Sequence, residues 1–372
     1  MKALINLVLI FIFVSLATGQ ATADITWQRS IGTESDDKLV NLILDGNKLH
    51  LGGGWGSPSQ APGSYDLRFW QIDVNGSNFS NRLPNGSRAL SFIENNEHLV
   101  KFFVLENGNY IITGTSDEMI EGTNVQMTWK TPHVLMFEYD NNSKEIIWKE
   151  HLGGIDMDLL NVSLQTTDGN YVLGSQSNSR ASGEKTEDAF GYTWDGLAKP
   201  KSKDWKEPEY TFDYWMLKVS GDLEVLWQKA FGGSKNDIVK SIIETSDGGF
   251  VLAGHSNSPA SSGDVDYFML YKGAEVESDD TFLETVSSGN KDSKNHGGYD
   301  FYLVKIDKDG EKIWDKSYGG SNDDYLYFIH EAIDGGYLLG GISYSGKSGN
   351  KTTSNYGLND YWVIKVDING NK

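Results

Sequence analysis

Five Asp-Gly or Asn-Gly dipeptides recur along the chain in the same local setting, and no other feature restricts the fold as much. They are Asp45-Gly46, Asn107-Gly108, Asp168-Gly169, Asp247-Gly248 and Asp334-Gly335, each flanked by short apolar runs. Such a dipeptide supplies the positive φ angles of a two-residue hairpin turn, so each copy is expected to join two adjacent antiparallel strands. A second hairpin follows each copy after an insertion of variable length. Its first strand starts at Asp66, His133, Asp213, Asp300 or Asp360 and carries apolar residues on both faces, the pattern of a strand held between two neighbouring sheets. Beyond its turn the chain reaches a Trp and then glycine: Trp148 with Gly153-Gly154, Trp227 with Gly232-Gly233, Trp314 with Gly319-Gly320, and Trp27 with Gly32. The copy near Phe79 lacks the Trp.

Four strands per unit, repeated around a ring, describe the blades of a β-propeller. The ends of the chain fit the same scheme. Residues 25–32, ITWQRSIG, read as an outermost strand without the three that should precede it, and the C-terminus stops after a third strand. An open sheet edge is a liability. The expectation is therefore an all-β, five-bladed β-propeller of four-stranded antiparallel blades, closed by the N-terminal strand completing the last blade. A β-solenoid, the rival, would need capping repeats at both ends.

The segments DYWVIKVD, WDKSYGGSNDD, TSDGGF and SGNKTTSNYG resemble the repeat of secreted bacterial β-propeller proteins. The resemblance covers essentially the whole chain after the leader. It implies fold and export and brings no catalytic residues with it.

Residues 1–23 read as a signal peptide: Lys2, an apolar run from Leu4 to Leu16, and the small residues Ala21 and Ala23 around Thr22. The run is short for a membrane span. Residues 24–372 are then one propeller domain, secreted or held in the periplasm or at the cell surface. With no cysteine, disulfides and thiolate metal sites are excluded. The 32 basic and 52 acidic residues give a net charge of −20, which disfavours nucleic acid and anionic membrane surfaces as partners.

If the first strand of each blade lines the channel, the long insertions at 55–65, 116–132, 176–212, 256–299 and 343–359 share one face. Loops on a rigid scaffold concentrate binding residues. Trp55, Tyr192, Trp194, Trp205, Tyr210, Tyr267 and Tyr271 lie in them, and their rings suit sugar faces or peptide side chains, or else loop packing. Three insertions carry a smaller motif, Ser182-Gly183-Glu184-Lys185, Ser288-Gly289-Asn290-Lys291 and Ser348-Gly349-Asn350-Lys351, whose recurrence suits loop formation.

Asp37, Glu97, Asp158, Asp237 and Asp324 begin the five first strands. Carboxylates so placed could gather calcium, which takes several oxygen ligands. They could equally hydrogen-bond the glycine turns behind them or pair with the loop lysines, and this structural reading takes precedence. Residues 341–348 match the phosphate-loop pattern, but the turn-rich segment after Ser348 is no helix start. No Ser-His-Asp set or metal-type cluster stands out among seven scattered His residues. The functional expectation is a non-enzymatic binding module for a glycan or partner protein on the loop-rich face. The alternative is a glycoside hydrolase-like enzyme with a carboxylate pair over the channel mouth.

Overall fold

The computed structural model describes residue 30 and residues 37–56, 65–78, 80–81, 98–116, 131–143, 145–190, 211–261, 265–269, 283–287 and 289–372. These form a five-bladed β-propeller of small antiparallel sheets, with no helix among the described residues. The first blade contains β1 (Asp37–Asp45), β2 (Lys48–Gly56), β3 (Tyr65–Asp73) and the two-residue β4 (Ser80–Asn81). The second contains β5 (His98–Val104), β6 (Tyr110–Ser116), β7 (His133–Tyr139) and β8 (Ile146–Leu152). The third is built from β9 (Asp158–Gln165), β10 (Tyr171–Ser177), β11 (Asp213–Val219) and β12 (Val225–Phe231). In the fourth, β13 (Asp237–Glu244) and β14 (Phe250–Ser256) precede a separate hairpin, β15 (Val265–Met269) with β16 (Leu283–Ser287). The blade then resumes with β17 (Asp300–Ile306) and β18 (Lys312–Tyr318). The fifth has three strands, β19 (Asp324–Glu331), β20 (Tyr337–Ser343) and β21 (Asp360–Val366).

Alternation along the third strands seals one blade to the next. In β11, Tyr214 and Met216 face the fourth blade while Trp215, Leu217 and Val219 face the second; all are essentially without solvent contact. In β17, Phe301 and Leu303 face the fifth blade, and Tyr302, Val304 and Ile306 face the third. Burying side chains of this size stabilises the fold by about 1.5–3 kcal/mol each. Four apolar cores join the five blades in chain order. The closing strand expected at 25–31 lies outside the described residues except for Ser30, which is in no strand.

The dipeptide turns are hairpins, but four of them are longer than two residues. The N–H of Gly108 bonds to the Leu105 carbonyl while the Leu105 N–H bonds to Asn109, and the copies at Gly169, Gly248 and Gly335 repeat this, each glycine at φ near +80°. The Asp before the glycine accepts a backbone N–H two residues on and pairs with a third-strand lysine: Asp168 with Lys218, Asp247 with Lys305, Asp334 with Lys365. Each innermost strand also carries a register shift, leaving Val40, Val100, Asn161, Lys240 and Tyr327 as the extra residues. Bulges of this kind re-aim side chains. Repeated in all five blades, the bulge belongs to the repeat and marks no single site.

Candidate functional site

The end of the propeller that carries the insertions is built on a repeated carboxylate. Asp158, Asp237 and Asp324 open β9, β13 and β19 and are fully buried. One oxygen of each accepts the N–H of the second glycine of the preceding turn: Gly154 at 2.7 Å, Gly233 at 2.9 Å, Gly320 at 2.8 Å. The same oxygen accepts a hydroxyl from the loop beyond the second strand, Ser179 at 2.9 Å, Ser258 at 2.7 Å or Ser345 at 2.8 Å. Each carboxylate thus ties an interblade turn to a top loop. Its other oxygen has no hydrogen-bond partner among the described residues.

Across each junction stands the first residue of the preceding blade's third strand. His133 Nδ1 lies 3.7 Å from Asp158, and Asp213 and Asp300 take the same place opposite Asp237 and Asp324. Burial first, and then the facing carboxylate, push Asp213 well above its ordinary value. Burial raises Asp237 to about 6 against the pull of the Ser256 and Ser258 hydroxyls, and raises Asp300 to about 7.

Above this layer the recurring lysines turn inward. Lys185 Nζ donates to the Ser179 and Glu187 carbonyls, Lys291 to that of Ser293, and Lys351 to the Ser345 and Thr353 carbonyls and the Asn355 side chain. Each ammonium also stands 5.1–5.7 Å from the centre of a third-strand ring: Trp215, Tyr302 or Trp362. The lysine is an internal cation that organises the loop carbonyls. Among the described residues no group of three or more His, Asp or Glu is placed to hold a metal.

These features follow the repeat. The junction between the fourth and fifth blades departs from it, with His255, Tyr299, Tyr325 and Tyr344 where the preceding junction has Gln176, Phe212, Ile238 and Asn257. His255 packs edge-on against Tyr299 and Tyr325, with centroids 5.4 and 5.0 Å away. Tyr299 and Tyr325 lie 5.3 Å apart, and Tyr344 meets Tyr325 at 6.3 Å and is 42% exposed. Asp323 fixes the group: its carboxylate accepts the Tyr299 N–H at 2.9 Å and its carbonyl the Tyr344 N–H at 2.8 Å. Burial and then the Lys240 charge hold His255 down at about 4, so it is neutral at physiological pH. The result is an aromatic rim with polar edges at the loop-rich end.

Of the residues singled out from sequence, Tyr192, Trp194, Trp205, Tyr210, Tyr271 and Glu97 lie outside the described residues. For Asp37, Trp55 and Tyr267 the structure describes the backbone alone: Asp37 pairs with Trp55 between β1 and β2, and Tyr267 lies on β15 opposite Thr285. The phosphate-loop look-alike begins inside β20 and ends in the Ser348–Lys351 bridge, with no helix after it. Within the channel, a cavity of about 410 Å³ is lined largely by Leu39, Val40, Leu99, Val100, Leu159 and Leu160.

No family model and no curated protein matches the chain. Several solved structures can be aligned with it over most of its length. An acylaminoacyl peptidase from Pyrococcus horikoshii is 9% identical, with a TM-score of 0.37, over 88% of this chain, which spans 38% of the peptidase's length. A GH43 β-xylosidase/α-arabinofuranosidase from a compost microbial metagenome is 12% identical, with a TM-score of 0.34, over 88% of this chain and 90% of that one. A luciferin-regenerating enzyme is 8% identical, with a TM-score of 0.36, over 89% and 91%. Identities and scores this low transfer no activity or ligand to this chain.

Proposed function

We propose that the chain is a secreted, non-enzymatic bacterial binding module that recognises a glycan or a partner protein through its loop-rich face. The observation that carries this reading is the aromatic rim at the fourth junction, where Tyr299, Tyr325 and Tyr344 interrupt an otherwise repetitive frame. Residues that obey the repeat serve the ring. Residues that break it at one place, at the end that carries the insertions, are free to serve recognition. Aromatic rings with polar edges bury much area at little entropic cost. Of the described carboxyls with raised pKa, Asp213, Asp237 and Asp300 are sealed in the junctions, where a sugar could not reach them as a general acid, and Asp156, raised to about 6 by burial and then by Asp158, is half-buried. The net charge of −20 favours neutral or basic ligands over anionic ones.

Screening the chain from residue 24 against a glycan array, followed by titration of the hits, tests the proposal. Replacing both Tyr325 and Tyr344 by Ala should weaken binding at least about tenfold while moving the melting temperature little. Unchanged affinity in that variant, with loss on replacing Trp194 and Trp205, would move the contact to the third insertion. Turnover of a bound glycan would replace a binding role with a catalytic one.

A further inference from the structure

The charge balance of this chain reverses along its channel. The molecule as a whole carries 52 acidic residues against 32 basic ones. Between their end residues, however, the five innermost strands contain no Asp or Glu and three lysines, Lys38, Lys101 and Lys240. A cleft with low-dielectric walls focuses the field of the sign that lines it, so the channel favours anions where the chain as a whole disfavours them.

The wall is uneven. Of the extra residues at the register shifts, Val40, Val100 and Asn161 line the cavity of about 410 Å³, and Lys240 and Tyr327 hold the equivalent positions in the fourth and fifth blades. The equivalence extends to their neighbours. Asn161 Nδ2 donates to Gln176 at 3.1 Å, and Lys240 stands near enough to His255, the counterpart of Gln176, for its charge to act on that ring. The first three blades thus present aliphatic side chains, and the fourth presents an ammonium. Lys240 is half-buried and has no hydrogen-bond or ion-pair partner among the described residues. The other inward lysines are satisfied: Lys101 by the Ser163 carbonyl at 3.2 Å, and Lys185, Lys291 and Lys351 by loop carbonyls. A cation withdrawn from water without a partner is costly, and a bound counter-charge removes that cost.

We propose that the channel binds a small amphipathic anion, a monocarboxylate with an aliphatic body, its head at Lys240 and its body against Leu99, Val100 and Leu159. The cavity has the size of a small-molecule site, and such sites pair an apolar wall with a few polar groups that fix orientation. One ammonium matches one negative charge. The aliphatic arc offers sugars and phosphates no hydrogen bonds. Occupation of the channel does not require a ligand on the aromatic rim.

Calorimetric titration of the chain from residue 24 with decanoate tests the proposal. Decanoate should fill a single site with a dissociation constant below about 1 mM, and decylammonium, of equal length and opposite charge, should bind at least about tenfold more weakly. Lys240→Met should weaken decanoate at least about tenfold, whereas Lys240→Arg should retain it. Val100→Trp, which fills the cavity, should abolish binding. Should that variant melt early, the two Lys240 variants decide, since they leave the apolar wall unchanged. Absence of saturable decanoate binding would overturn the proposal. Equal affinity for decanoate and decylammonium, or undiminished decanoate affinity in Lys240→Met, would overturn it as well.

Discussion

Replacing Gly319 by alanine should destabilise the propeller by about 3–5 kcal/mol, the sum expected of overpacking a buried site and breaking a charged hydrogen bond. A Cβ there would lie 1.9 Å from Asp300 Oδ1 and 2.9 Å from Asp324 Oδ2. Neither carboxyl can yield. Asp300 is held by the His296 N–H at 2.6 Å, and Asp324 by the Gly320 N–H and the Ser345 hydroxyl. Relief would require the fourth and fifth blades to separate at the top, opening the core of Phe301, Leu303, Leu326 and Trp362. For a domain of this size the melting temperature should fall by roughly 5–15 °C. Gly346→Ala is the control, since nothing lies within 4 Å of a Cβ there and its loss should be within about 0.5 kcal/mol. Equal melting temperatures for the two variants would refute the packed junction described above. Gly232→Ala should behave like Gly319→Ala, because its Cβ would fall 2.1 Å from Asp213 Oδ1.

The frame was legible because its determinants are local. Gly248 and Gly335 sit at positive φ in turns, and β11 and β17 bury both faces as their composition required. The turns were read too short because the Asp side chain, by accepting a backbone N–H two residues on, favours a longer loop over the two-residue form. The inward carboxylates were legible one by one. Their partners were not, since Asp237 meets Asp213 from another blade, and no spacing within a repeat shows a contact between repeats. The aromatic rim escaped for a related reason. His255 and Tyr325 sit within β14 and β19, where a ring reads as core, and only comparison of aligned copies shows that they depart from the repeat. Insertion aromatics such as Trp194 and Trp205 stand out in sequence because polar loops surround them.

Stability should fall as the pH rises from about 4 to 7, opposite to the trend at lower pH. Asp213, Asp237 and Asp300 have their folded pKa values raised, Asp237 to about 6 and Asp300 to about 7, against about 3.9 in the unfolded chain. Between those limits these carboxyls, joined by Asp156 at about 6, bind more protons in the folded state than in the unfolded one, and they outnumber His255, whose lowered value of about 4 works the other way. The folded state's advantage is full below about 4 and is lost as the pH climbs through the folded values. The facing carboxylates couple, so the apparent values belong to each pair. Below pH 4 the depressed groups dominate. At Asp247, burial is outweighed by Lys305 and Thr245, which bring it to about 2, and the Lys218 contact lowers Asp168 further; their contribution is present above about 4 and is lost as the pH falls. Asp300→Asn isolates the raised group. The amide oxygen keeps the His296 N–H, and the neutral amide removes the charge that faces Asp324. One proton of linkage is about 1.4 kcal/mol per pH unit, so urea midpoints measured from pH 5 to 8 should fall less steeply in the variant, and it should exceed the parent in stability above pH 7. Parallel slopes would mean that Lys291, which also faces Asp300, already neutralises the pair as a fixed charge.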